Sequence, residues 1–242
     1  MEVYNLDGSM IYYKTFGNIN KPPLVMLHGN GEDHSLFNSQ ISRFETDFFI
    51  IAIDTRGHGK STGIPINFNQ MADDTLAVIS ELNIKKAHFL GFSDGAIQAL
   101  HIAIKVPESV CSLILVGVNI TPDGLRANIR IYLLFNYLLL SIKALLKPSK
   151  WTIRKKIWSL MIFHPHIGTS ALQNINCPTL VVAGENDMIK FVHTQLIAKS
   201  IPQSEMVIIA EADHFLTIDK PEVFNNIVAE FLKNVTFGRS ST

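Results

Sequence analysis

Six short runs of Val, Ile, Leu, Phe and Ala punctuate this chain, at residues 24–27, 48–53, 87–92, 112–116, 179–183 and 205–209. Apolar runs of that length, broken by few polar residues, suit strands covered on both faces, as in a parallel sheet. The stretches between them at 35–44, 69–82, 94–104, 189–200 and 221–233 repeat their apolar residues at the helical period. Strands alternating with helices need right-handed crossovers, so the pattern predicts a doubly wound, mostly parallel α/β sheet. Ahead of it, Asp7-Gly8 separates residues 3–6 from the alternating segment 10–16, which predicts an antiparallel hairpin at one edge.

One interval breaks the alternation. Residues 121–171 carry helical pattern and no strand, with candidate helices at 125–146 and 151–163 and punctuation at Pro148 and Pro165. An insertion of roughly 50 residues between core strands reads as a cap. The expected organisation is a core of residues 1–120 and 172–242 with a cap at 121–171. The most hydrophobic stretch, 129–146, is interrupted by Arg130, Asn136, Ser141 and Lys143. A membrane span calls for about 20 mostly apolar residues with few or no charges, so a soluble helix buried on more than one side is expected.

Charge is unevenly placed. The chain balances 21 Lys+Arg against 21 Asp+Glu, which gives no global electrostatic reason to expect nucleic acid or a membrane as partner. Residues 121–172 nevertheless hold eight basic residues against the single acid Asp123, a local charge of +7 that the remainder offsets. A solvated cap face is the simpler reading, and contact with anionic lipid or a fatty-acyl substrate is the sharper alternative. Cys111 and Cys177 are too few for a disulfide framework and are expected as buried thiols beside strand starts. Residues 1–17 lack a basic region followed by an apolar one, so a cytoplasmic protein is expected.

The strongest chemical signal is Gly91-Phe92-Ser93-Asp94-Gly95, at the end of an expected strand and the start of an expected helix. A nucleophile on a tight strand-to-helix turn needs small neighbours two residues before and after it. A bare G-x-S-x-G is common; in this context it marks Ser93 as a nucleophile at a helix N-terminus, where negative charge is favoured. A serine hydroxyl needs a base. His214 follows the last expected strand and so falls at the same sheet edge. His28, His34 and His58 belong to earlier loops, His88 and His101 sit at strand or helix positions, and His164, His166 and His193 have no evident partner. The orienting acid belongs on another strand-end loop. Asp187, in Ala183-Gly-Glu-Asn-Asp187, is preferred over Glu185 in the same loop and over Asp213 beside the histidine. The backbone N–H groups of Asn30, in Leu27-His28-Gly29-Asn30-Gly31, and of Asp94 would form an oxyanion hole. No metal or organic cofactor is implied, because the histidines and carboxylates lack ligand spacing.

With these pieces assembled, the chain resembles the α/β-hydrolase superfamily over essentially its whole length. The resemblance rests on the elbow, His28-Gly29, Asp54-Thr-Arg-Gly-His-Gly-Lys-Ser61, Pro178-Thr-Leu-Val-Val-Ala-Gly-Glu-Asn-Asp187 and Asp213-His214, in the family's order and spacing. It implies that the Asp54–Ser61 run is a structural turn, which leaves Arg56 and His58 outside the chemistry. Haloalkane dehalogenase-like and epoxide hydrolase-like members carry Asp where this chain has Ser93, which argues against both. Ser93-Asp94-Gly95 is similar to the elbow of the biphenyl hydrolase-like amino-acid-ester hydrolases. Asp94 is therefore a candidate anchor for a substrate amine, set against the plainer role of favourable charge in a first helical turn. Leu133 and Trp158 are candidate acyl-pocket residues of the cap. The expected activity is hydrolysis of a small carboxylic ester, lactone or thioester through an acyl-enzyme. Cofactor-free C–C hydrolysis or perhydrolysis with the same three residues stays open, as does a non-catalytic binding protein on the same fold.

Overall fold

The structure is a computed structural model that describes residues 1–5 and 7–237, with the side chains of all of these but Tyr4, Ser149, Lys150 and Phe237. Leu6, the last residue expected in the first strand, lies outside the described residues. The strands are β1 (Glu2–Tyr4), β2 (Met10–Phe16), β3 (Pro23–Leu27), β4 (Phe49–Ile53), β5 (Ala87–Phe92), β6 (Val110–Val116), β7 (Thr179–Gly184) and β8 (Ser204–Ile209). The helices are α1 (Asn38–Phe44), α2 (Phe68–Glu81), α3 (Asp94–Lys105), α4 (Ala127–Leu146), α5 (Pro148–Phe163), α6 (Thr169–Leu172), α7 (Phe191–Ser200), α8 (Leu216–Asp219) and α9 (Pro221–Phe237).

The strands form one sheet in the order β1-β2-β4-β3-β5-β6-β7-β8. The first hairpin joins antiparallel, through β2 against β4, and every other pairing is parallel. Side chains alternate between the two faces, as the strand period requires. Val25, Leu27, Ile51, Phe89, Leu113 and Val181 pack toward α2, α3 and α7. Their neighbours Met26, Ile50, Leu90, Ile114 and Val182 pack toward α1 and α9. Two apolar layers explain why the central strands read as near-continuous hydrophobic runs. The sheet order reverses around β3, so the loops after β3, β5, β7 and β8 converge at one edge, where α/β sheets place their sites.

The run at 54–61 does structural work. Arg56 is fully buried; its Nε and Nη2 donate to Asp74 of α2 at 2.7 and 2.6 Å and its Nη1 to Asp7 at 2.7 Å, which ties the turn to α2 and to the first hairpin. Cys111 and Cys177 are free thiols near the starts of β6 and β7, half-buried rather than buried, and desolvation pushes both up in pKa.

Between β6 and β7 lie α4, α5 and α6, the helical cap. The expectation that its hydrophobic stretch is buried on more than one side is not met. Within α4 only Leu133 and Leu140 are buried, while Ile131, Leu134, Phe135, Leu138, Ile142 and Leu145 face outward. The physical reason is that α4 lies outermost. It packs on α5 and, through Leu133 with Leu125 and Ile189, on the loop after β7, and among the described residues no further layer covers its other side.

Candidate active site

The turn after β5 holds Ser93 at φ 52°, ψ −116°, a backbone region disfavoured for a side chain and met at nucleophile elbows. The glycines on either side are required by close approach. A Cβ on Gly91 would lie 2.5 Å from the Gly95 carbonyl oxygen, and one on Gly95 would collide with the Leu27 carbonyl oxygen on β3. The Ser93 N–H donates to Val116 O at 2.8 Å, anchoring the turn to β6.

Ser93, His214 and Asp187 come together in one hydrogen-bonded line. His214 Nε2 lies 3.1 Å from Ser93 Oγ, and His214 Nδ1 lies 2.8 Å from Asp187 Oδ1. With Nδ1–H donating to the carboxylate, Nε2 is free to accept the serine proton. Asp187 Oδ1 also accepts from Ile189 N at 2.9 Å, so its own loop fixes its orientation. The competing acids are engaged elsewhere: Glu185 Oε2 accepts from Glu211 N, and Asp213 Oδ1 accepts from Phe215 N. Phe92 and Phe215 pack around the imidazole, with ring centroids 5.0 and 5.7 Å from it.

Gly117, just after β6, was not singled out by the sequence. It has φ +57°, and a Cβ there would sit 2.7–2.8 Å from His214 Cε1 and Nδ1. Only a residue without a side chain leaves the imidazole room between Ser93 and Asp187. A Val-Gly dipeptide ending a predicted strand at the sheet edge was the available signal.

The loop after β3 lies against this line. Among the described residues, neither the Asn30 nor the Asp94 backbone N–H donates to a protein acceptor. The Asn30 side chain does more than the sequence suggests. Its amide donates at 2.8 Å to Asp94 Oδ2 and at 2.8 Å to the Ile157 carbonyl of α5, so one side chain joins the loop after β3, the residue after Ser93 and the cap. Asp94 is buried, and desolvation raises its carboxyl to about 6 despite the bond from Asn30. Glu32 is also missed by the sequence reading. It accepts from Gly29 N at 2.9 Å, and desolvation raises it to about 7.

The earlier-loop histidines hold the frame. His28 is buried, accepts from Thr55 N at 3.0 Å through Nε2 and is pushed down to about 4 by desolvation, so it stays neutral. Desolvation likewise lowers His58, whose ring edge meets His28. His88 is lowered to about 4 and meets Ser112 Oγ at 2.8 Å. His193 acquires a partner, accepting from Ile120 N at 3.1 Å. Asp33, His34 and Asp54 present three ligand-type atoms within 4.8 Å of one another, a grouping that sequence spacing did not disclose. Their atoms are engaged in turn hydrogen bonds: Asp54 Oδ1 meets His34 Nδ1 at 2.6 Å, and Asp33 Oδ1 accepts from Ser35 N at 2.8 Å.

The two cap residues expected to line an acyl pocket belong to one small apolar cluster, but they line different cavities. Leu133 is buried and lines a cavity of about 150 Å³ with Leu125, Met161 and Ile162. Trp158 lines a separate cavity of about 190 Å³ with Leu140, Trp151 and Arg154. Neither cavity is lined by Ser93 or His214.

Comparison with known proteins agrees with this architecture. The model of the alpha/beta hydrolase fold matches residues 22–136. The chain is 27% identical to 3-oxoadipate enol-lactonase 2 of Acinetobacter baylyi, over 91% of this chain and 92% of that one. It is 24% identical to the human serine hydrolase BPHL, over 94% of this chain and 84% of that one. Among solved structures, Est816, described as an N-acyl homoserine lactone degrading enzyme, superposes with a TM-score of 0.77 at 27% identity, covering 96% of this chain and all of that one.

Proposed function

We propose that this chain is an α/β-hydrolase that cleaves a small carboxylic ester or lactone through an acyl-enzyme on Ser93. The observation that carries the reading is the unbroken contact from Ser93 Oγ to His214 to Asp187, at 3.1 and 2.8 Å, on a turn with positive φ. The enol-lactonase and the N-acyl homoserine lactone degrading enzyme support an ester or lactone as the bond cleaved.

In this mechanism Ser93 Oγ attacks the acyl carbon while His214 Nε2 takes its proton. Asp187 fixes the imidazole tautomer and stabilises the imidazolium. The carbonyl oxygen becomes an oxyanion held by the Asn30 and Asp94 N–H groups; one such donor is typically worth about 100- to 1,000-fold in rate. His214 then returns the proton to the departing alkoxide: an ester's alcohol leaves, whereas a lactone ring opens and its new hydroxyl stays on the acyl group. Water repeats the cycle on the acyl-enzyme: His214 deprotonates it, the acid is released and Ser93 regains its proton. Asp94, joined to Asn30, holds the two donor loops in register; this role has direct support in the 2.8 Å contact.

The test is covalent labelling by a fluorophosphonate probe, with peptide mapping and Ser93→Ala as control, followed by a panel of esters, lactones and thioesters. Labelling at Ser93 that is absent from the variant, with turnover of panel members, is the expected result. A folded protein that leaves the probe unreacted and turns over nothing in the panel refutes it.

A further inference from the structure

Helix α4 carries an apolar surface that no other described residues cover. Its 20 residues extend about 30 Å. Ile131, Leu134, Phe135, Leu138, Ile142 and Leu145 recur at helical spacing along one side, and all are exposed, from 47% at Leu134 to 82% at Leu145. The helix has a mean hydropathy of 1.6 with only 11% of that stretch buried. Contiguous exposed apolar surface on this scale marks an interaction site.

The rim of this stripe is basic and aromatic. At about 100° per residue, Arg130 and Lys143 fall on opposite flanks of it. Lys143 Nζ lies 5.1 Å from the Trp151 ring centroid and Arg154 Cζ lies 5.9 Å from it, while Lys155 Nζ lies 5.4 Å from the Tyr137 centroid. The single acid of residues 121–172, Asp123, is paired with Arg130 at 2.5 Å. An apolar stripe with basic flanks matches a helix lying in a membrane interface.

We propose that α4 docks flat on an anionic phospholipid bilayer. A second copy of the chain fits this surface less well. Two-fold pairing sets a patch against itself, and here that brings together two segments of charge +7 each. A bilayer with anionic headgroups offers an apolar layer for the stripe and negative charge for its rim. The helix lies on the membrane and does not span it, because Leu133 and Leu140 are buried within the protein and α5 packs along α4. Docking also bears on the candidate site, since α5 is joined to the loop after β3 through Asn30 and Ile157. The inference itself rests on the surface and not on the chemistry of Ser93.

The test is co-sedimentation of the full chain with vesicles of phosphatidylcholine alone and of phosphatidylcholine mixed with phosphatidylglycerol, at low and high salt. Binding to the mixed vesicles, weak binding to the neutral ones and loss at high salt are expected. Leu138→Glu with Ile142→Glu is expected to weaken binding at least about tenfold, since each buried side chain is worth more than that. Lys143→Gln and Arg154→Gln are each expected to weaken it roughly fivefold. All four positions are exposed, so the variants keep the parent's circular dichroism and melting temperature, which are measured alongside. Absence of binding to the anionic vesicles at low salt overturns the proposal. So does binding that ignores both headgroup charge and the substitutions. Self-association without lipid that Leu138→Glu abolishes would assign the stripe to a second copy instead.

Discussion

Replacing Asp94 by asparagine tests whether a buried carboxylate beside Ser93 is held there at a cost. Asp94 is 8% exposed, and desolvation raises its carboxyl from 3.8 to about 6. Between those values the folded state binds more protons than the unfolded state, so stability falls as pH rises through the window. The full cost is present above pH 6, and at 1.36 kcal/mol per pH unit it is about 3 kcal/mol. At pH 4.5 the same relation leaves about 1 kcal/mol. The asparagine side chain keeps an oxygen to accept from Asn30 and carries no charge. The stability difference between variant and parent is therefore expected to favour Asp94→Asn by about 2 kcal/mol more at pH 7.5 than at pH 4.5. For a chain of this length that is a relative gain of roughly 4–8 °C in melting temperature. Urea titration and thermal melting at both pH values, followed by circular dichroism, measure it. Subtracting the two pH values cancels any pH-independent packing change. A difference that does not vary with pH, or one that favours the parent at pH 7.5, refutes the reasoning.

Two further substitutions probe the support of the site. Gly117→Ala places a methyl 2.7–2.8 Å from the His214 ring at a backbone φ of +57°; displacing the imidazole by about 1 Å is expected to lower kcat about 100-fold, and unchanged turnover of a p-nitrophenyl ester would contradict this. Asn30→Ala leaves the backbone donor in place but removes both side-chain bonds, to Asp94 and to Ile157. It is expected to cost about 1–3 kcal/mol at neutral pH, and less in the Asp94→Asn background, where no charge is left unpaired; equal costs in the two backgrounds, by urea titration, would show that the amide does not serve the carboxylate.

The sheet was legible because its information is local. Near-continuous apolar runs bounded by glycine, proline and polar turns specify strands wherever two layers of helix cover them. The residues at 24–27, 87–92 and 179–183 fall within strands β3, β5 and β7. Ser93 was legible for a related reason, since an elbow needs Gly91 and Gly95 at fixed offsets and the strand and helix on either side announce themselves. The failure at 129–146 has a physical cause. Hydrophobicity predicts that a helix seeks cover, but it does not say whether the same chain supplies that cover.

The sequence by itself determined the alternating architecture, the hairpin at its edge and the types of residue delivered to the loops at one end of the sheet, because each follows from local period and turn chemistry. Only the tertiary structure decided which of Glu185, Asp187 and Asp213 reaches His214, because all three lie within a few residues of a strand end and only three-dimensional distance separates them. It alone revealed that Gly117 clears room for the imidazole and that Asn30 joins Asp94 to the cap. It alone left one side of α4 uncovered. These are contacts between residues from 27 to 127 positions apart, and no periodicity along a chain encodes which distant partners will meet.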